Sequence, residues 1–182
     1  PEKRDFNFTW DDFINSINGE LLGKWGNFIN RTLLFVNKSF DGRLKDSTVD
    51  KEIEERLNVL FNEVGTNIEN GDVREGINKI FDFIVFANKY FDEKQPWILA
   101  KTDIDKCNSV LFNCVNIISN VNTLLKPYLP ISCEKVEEFL NTKVSKWEYN
   151  TILNISLSKD IKPLYERYDK SVIDEEKSKL KK

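Results

Sequence analysis

The chain has 182 residues, 40% hydrophobic and 31% charged, with 27 basic against 30 acidic side chains and no histidine. That balance supports one globular domain with a real core. No apolar run reaches the roughly 18 residues that a membrane-spanning helix needs, and the few glycines and prolines favour long helices over a turn-rich β architecture.

Periodicity then gives the elements in chain order. Thr9 is placed to cap a helix, with Phe8 positioned to staple against Phe13. Apolar residues follow at Trp10, Phe13, Ile14, Ile17, Leu21, Trp25, Phe28 and Ile29, steps of three and four that mark one helical face. This helix is expected to run to about Phe40, to bend near Gly19 and to stop at Asp41-Gly42. A second helix after Thr48 carries Ile53, Leu57, Leu60, Val64 and Ile68 and ends at Asn70-Gly71, with the glycine suited to a left-handed cap. A third, capped by Asp72, buries Val73, Ile77, Ile80, Phe81 and Ile84 and frays near Tyr90. Phe91 to Trp97 reads as an irregular corner.

A fourth helix covers about Asp103 to Lys126, and Pro127 and Pro130 stop it. Ser132 is suited to cap a shorter fifth helix ending near Leu140. The stretch 141–161 has no clear period and reads as a connector, and a charged, lysine-rich segment begins at Pro163. The expected fold is all-α, an antiparallel bundle of about five helices with a C-terminal tail. The bundle is assigned to residues 1–162 and the tail to 163–182.

Little in the chain points to chemistry. Cys107, Cys114 and Cys133 form no CxxC pair, and a zinc site needs about four soft or imidazole ligands at tight spacing. They read as core thiols in a reducing compartment, the cytoplasm, with no metal and no cofactor in this segment. The carboxylates lie in solvated helical runs such as Glu52-Ile53-Glu54-Glu55. There is no nucleophile paired with a base and no Gly-rich phosphate loop, so no catalytic residue is expected. The chain opens at Pro1 and lacks methionine, which suggests a piece of a larger protein.

Binding residues are easier to propose. At about 100° per residue, Glu20, Lys24, Asn27, Arg31 and Lys38 fall along one margin of the first helix's apolar stripe. Asn27 and Arg31 are one turn apart there, a carboxamide with a donor and an acceptor beside a rigid fork of donors. Trp97 follows Pro96 on a stiff corner and belongs to no periodic stripe, so it is free to point outwards, whereas Trp10 and Trp25 fit the core period. Edge-reading groups together with an indole for stacking suit a nucleobase. Spacing alone also allows polar flanks that merely face solvent and a tryptophan that anchors a core.

Several stretches, taken in order, resemble the anticodon-binding helix bundle of methionyl-tRNA synthetases. They are Asn18-Gly19-Glu20-Leu21-Leu22 and Gly26-Asn27-Phe28-Ile29-Asn30-Arg31-Thr32-Leu33, then Ala87-Asn88-Lys89-Tyr90-Phe91-Asp92-Glu93 with Gln95-Pro96-Trp97. Leu125-Lys126-Pro127-Tyr128-Leu129-Pro130, Pro163-Leu164-Tyr165-Glu166-Arg167 and the opening Arg4-Asp5-Phe6-Asn7-Phe8-Thr9-Trp10 agree as well. The resemblance spans nearly the whole chain. It implies that Asn27 and Arg31 contact bases of a CAU anticodon and that Trp97 stacks on one, with Pro96 fixing the corner and Asn30 supporting the same surface.

It implies further that the parent chain ligates methionine to its tRNA with ATP and Mg, on a catalytic domain outside this segment. Chains without histidine or methionine hold no intact HIGH-like or KMSKS-like signature. The implied partners are the anticodon loop of tRNA(Met) and that catalytic domain, with no DNA and no membrane. Two alternatives stay open: the bundle of a class I synthetase for isoleucine, valine, leucine or cysteine, and a helical module that docks a protein. The formal charge of −3 and pI near 5.3 run against the basic excess usual in nucleic-acid binders. Lys24, Arg31 and Lys38 along one edge, with Lys89, Lys94 and Lys101 near Trp97, are expected to offset it locally.

Overall fold

A computed structural model describes residue 5 and residues 7–143, 146–169 and 171–179. Arg4 and Phe6 of the opening segment and the last lysines lie outside the described residues. The helices are α1 (Trp10–Ser16), α2 (Asn27–Phe40), α3 (Lys51–Glu69), α4 (Val73–Lys94), α5 (Pro96–Thr102), α6 (Ile104–Leu125), α7 (Pro130–Leu140) and α8 (Ser171–Lys179). A π-helical stretch, Ile17–Gly26, joins α1 to α2 without a break. Among the described residues there is no named strand, only a single bridge between Arg43 and Ser156. The architecture is all-α, and the five long helical segments fall where periodicity puts them.

The helix ends follow local chemistry. Thr9 Oγ1 accepts a hydrogen bond from the Asp12 amide at 3.1 Å, and the Phe8 and Phe13 rings lie 5.9 Å apart. Asp41 (φ 52) and Gly42 (φ 78) end α2 in the left-handed region. Gly71 (φ 76) does the same after α3, where a side chain would be strained.

Four expectations are corrected. Phe91 is not in an irregular corner: α4 continues through Lys94, and Trp97 lies in a helix of its own, α5. The fifth long helix begins at Pro130 rather than being capped by Ser132. Proline suits the first helical position because the amide it lacks would be unpaired there anyway. Trp10 and Phe13 leave the core and form an edge-on cluster with Phe8, and Phe13 stays 47% exposed. Each wide π turn inserts a residue and rotates the segment before it by about 100° relative to the segment after it. The stripe centred on Trp25 and Phe28 therefore does not extend back to Trp10. Val73, expected to be buried, stands 41% exposed at the start of α4.

The central element is α6. Every side chain from Val110 to Leu125 is buried, because α2, α3, α4, α5 and α7 all pack on it. Fully buried residues such as Leu111, Ile117 and Ile118 each contribute about 1.5–3 kcal/mol of apolar burial.

The asparagines of this helix act as brackets for irregular chain. Asn108 accepts from the Lys45 amide and donates to the Lys45 carbonyl, both at 2.9 Å. Asn116 does the same to Ile152, and Asn120 to Asn150. Asn113 accepts from the Asp50 amide at 3.0 Å and donates to the Tyr90 hydroxyl at 2.7 Å. Each carboxamide substitutes for a strand partner, so two loops lie against a helix with their backbone groups satisfied. Trp147 pins the connector further by donating to the Phe61 carbonyl at 3.2 Å.

Candidate functional site

The Trp97 corner is built by three successive residues. Gln95 ends α4 in the left-handed region (φ 47), and its amide donates to the Phe91 carbonyl at 3.2 Å. Pro96 then opens α5, buried, and its carbonyl accepts a hydrogen bond from the Cys107 thiol at 3.4 Å. The proline is thus fixed from below by α6, and the next residue has to face outwards. Trp97 is 41% exposed, so it does not anchor the core.

Arg31 reaches the same corner from α2. Its guanidinium carbon lies 4.2 Å above the centre of the Phe91 ring, and Phe91 lies 6.1 Å from Trp97 with the planes tilted by 37°. Nη2 of Arg31 donates to Oδ1 of Asp92 at 2.5 Å. Arg31, Phe91 and Trp97 therefore form a row, with Asp92 fixing the orientation of the guanidinium at one end. Phe91, 2% exposed, is the joining residue that the sequence reading missed. Its signal was present, since Ile84, Ala87 and Phe91 continue the buried face of α4. The Asn88 carboxamide donates to the Ile84 carbonyl at 2.9 Å and the Lys24 carbonyl at 3.3 Å, tying α4 to the π-helical stretch.

Asn27 is exposed and starts α2, one turn before Arg31. It also lines a cleft of about 330 Å³ between the first long helix and residues 163–167. Asn30 lies in that cleft too, and its Oδ1 is shielded from solvent without a hydrogen bond among the described residues. The structure thus brings Arg31 and Trp97 together through Phe91, puts Asn27 on the adjoining margin, and turns Asn30 towards the tail.

The tail itself is strapped down. Asn18 donates to the Tyr168 carbonyl at 2.8 Å and accepts from the Tyr168 amide at 3.0 Å. The Tyr165 ring lies against Gly26, where an added Cβ would come within 3.1 Å of it.

Electrostatics at the site differ from expectation. Lys24 pairs with Glu20 at 2.8 Å, Arg31 with Asp92 and Lys89 with Glu93 at 3.6 Å. Half of the cations expected to gather phosphates are thus matched by carboxylates. In the core, burial pushes the Cys107 thiol up to about 11 and the Cys133 thiol up to about 12. Tyr90, donating to Asp50 at 2.9 Å, is likewise raised, chiefly by burial. Among the described residues no group of three or more His, Cys, Asp or Glu side chains is placed to hold a metal ion. No helix among them is long and apolar enough to cross a membrane.

Known proteins resemble the chain in sequence and in fold. The profile described as the anticodon binding domain of methionyl tRNA ligase matches residues 43–161, and that for tRNA synthetases class I (M) matches residues 1–33. Methionine–tRNA ligase 1 of Alkaliphilus oremlandii is 43% identical over 180 residues, 99% of this chain and 33% of its own length. Methionine–tRNA ligase of Streptococcus pneumoniae is 43% identical over 176 residues, 97% of this chain and 32% of its own. The chain therefore spans about a third of the length of these curated relatives. The apo crystal structure of Mycobacterium tuberculosis methionyl-tRNA synthetase shares the fold, with a TM-score of 0.83 at 21% identity over 91% of this chain and 36% of that one.

Proposed function

The chain belongs to the methionyl-tRNA ligase family as its anticodon-binding domain, and from that premise we propose that it reads the CAU anticodon of tRNA(Met) with Trp97, Arg31 and Asn27. Trp97 stacks on an unpaired loop base, and stacking tolerates any base. Identity comes from hydrogen bonds to the base edge, as is general for single-stranded RNA. Arg31 donates from a fork held against Phe91, while Asn27 offers both a donor and an acceptor one turn away. Pro96 aims the indole and Asn30 closes the far side of Asn27.

The observation that carries this reading is the row of Arg31, Phe91 and Trp97, with its indole exposed. It supports the reading because an exposed indole and a fork of donors lie close together on rigid elements.

The parent protein, on this reading, is a cytoplasmic class I ligase that joins methionine to its tRNA. ATP with Mg supplies the activation chemistry on a catalytic domain elsewhere in that chain, and this segment discriminates without catalysing. Its net negative charge and the paired cations at the site fit a discriminator whose tRNA affinity comes mostly from other contacts.

The test is a titration of the full-length protein with stem-loops bearing CAU and first-base variants. Trp97→Ala should cost about 1–3 kcal/mol of loop binding and leave the thermal melt nearly unchanged. Equal binding of all loops by the unaltered protein would overturn the reading.

A further inference from the structure

We propose that Asn88 is a positioning residue for anticodon reading: its carboxamide bolts the helix that carries Arg31 to the helix that leads to Trp97, and so fixes the gap between them. This role deepens the anticodon reading and rests on it.

The reading groups stand on different elements. Asn27 and Arg31 belong to α2, whereas Trp97 belongs to α5, directly after α4. A base that stacks on the indole while its edge meets the guanidinium needs a fixed separation, held to about 0.5 Å. Phe91 fills the space between the two groups, but apolar burial is non-directional and does not by itself set a register.

Asn88 supplies a directional link at that place. Residues three and four apart share a helix face, so Asn88 lies one turn below Phe91 and Asp92. Its carboxamide donates to the Ile84 carbonyl of its own helix at 2.9 Å, which aims the side chain. It also donates across to the Lys24 carbonyl at 3.3 Å, three residues before Asn27 on the same continuous helix. The residue is half-buried, where such a bond is stronger than it would be in water.

The Arg31–Asp92 pair joins the same two helices, but its carboxylate is exposed, so salt screens it and it contributes little to holding them. That pair also ends on the reading group itself. The bond from Asn88 ends on main chain, and it persists when Arg31 turns to a base.

The experiment uses full-length protein and stem-loops bearing CAU and UAU, read by anisotropy titration beside thermal melts. Asn88→Ala should lower the preference for CAU over UAU by about two- to tenfold, the span of one neutral hydrogen bond. Asn88→Asp keeps the shape without the donors and should show the same loss. The control is Asn120→Ala, since Asn120 likewise spans a carbonyl of its own helix and one of a neighbouring segment. It should lower the melt and leave the preference unchanged. A double-mutant cycle of Arg31→Ala and Trp97→Ala on the CAU loop reads the gap itself. Their effects should be coupled in the wild-type background and approach additivity in the Asn88→Ala background.

An unchanged preference in both Asn88 variants, with Arg31→Ala still impaired, would overturn this role and leave the anticodon reading intact. Additivity already in the wild-type background would overturn it too, as would an equal loss of preference in Asn120→Ala. Failure of both Asn88 variants to fold would assign the residue to the fold alone. If neither Arg31→Ala nor Trp97→Ala changed any binding, the failure would be of the underlying reading instead.

Discussion

Arg31 is constrained on two sides, by the face of Phe91 below it and by the Asp92 carboxylate beside it. A guanidinium so placed keeps its plane, and a plane is what reading a base edge requires. Arg31→Lys should therefore behave as a loss rather than a conservative change. We expect first-base discrimination to weaken by about 1.5–3 kcal/mol, the range for a hydrogen bond from a charged donor, with unchanged unfolding in denaturant; competition between CAU and UAU loops measures it. At this scale the sequence named Asn27, Arg31 and Trp97 from helical spacing and a proline corner. It could not name Phe91 as the partner that joins Arg31 to Trp97. That role depends on α4 meeting the first long helix, and no local period encodes a contact between segments so far apart.

Among the elements, α6 gives the sharpest expectation. Asn116 serves both backbone groups of Ile152, with bonds of 2.7 and 3.4 Å. Asn116→Ala leaves them buried and unpaired, which should lower stability by about 1–3 kcal/mol; urea unfolding followed by circular dichroism would show it. Asn58→Ala, on the exposed face of α3, should stay within about 0.5 kcal/mol of wild type. Long helices were legible because their apolar periods persist over several turns. By contrast α5 has seven residues, too few for a period to emerge. The π-helical stretch misled the reading of Trp10 and Phe13 because a 3.6-residue template assumes one register throughout. Asn108, Asn116 and Asn120 of α6 fasten loops that have no period of their own, contacts that helical spacing does not encode.

For the whole molecule, the three thiols report on the integrity of the core. All are buried, and burial raises Cys107 from its usual 9.0 to about 11 and Cys133 to about 12. A group whose folded pKa lies above its usual value contributes fully below that usual value. Its contribution then falls as pH climbs through the gap, here from about 9 towards 12. Stability should accordingly decline over that interval, and replacing Cys133 with Ala should flatten the decline when melting is followed against pH. At about pH 8 iodoacetamide should leave the native thiols unmodified and label all three after denaturation, as mass spectrometry would record.

The Asn18–Tyr168 clasp, which joins positions 150 residues apart, has a mechanical consequence. It closes the polypeptide into a loop, so a protease cut in the exposed part of the 141–161 connector would leave two pieces that remain associated. Such a nicked molecule should elute as one species on a sizing column, and Asn18→Ala should let the shorter piece drift away.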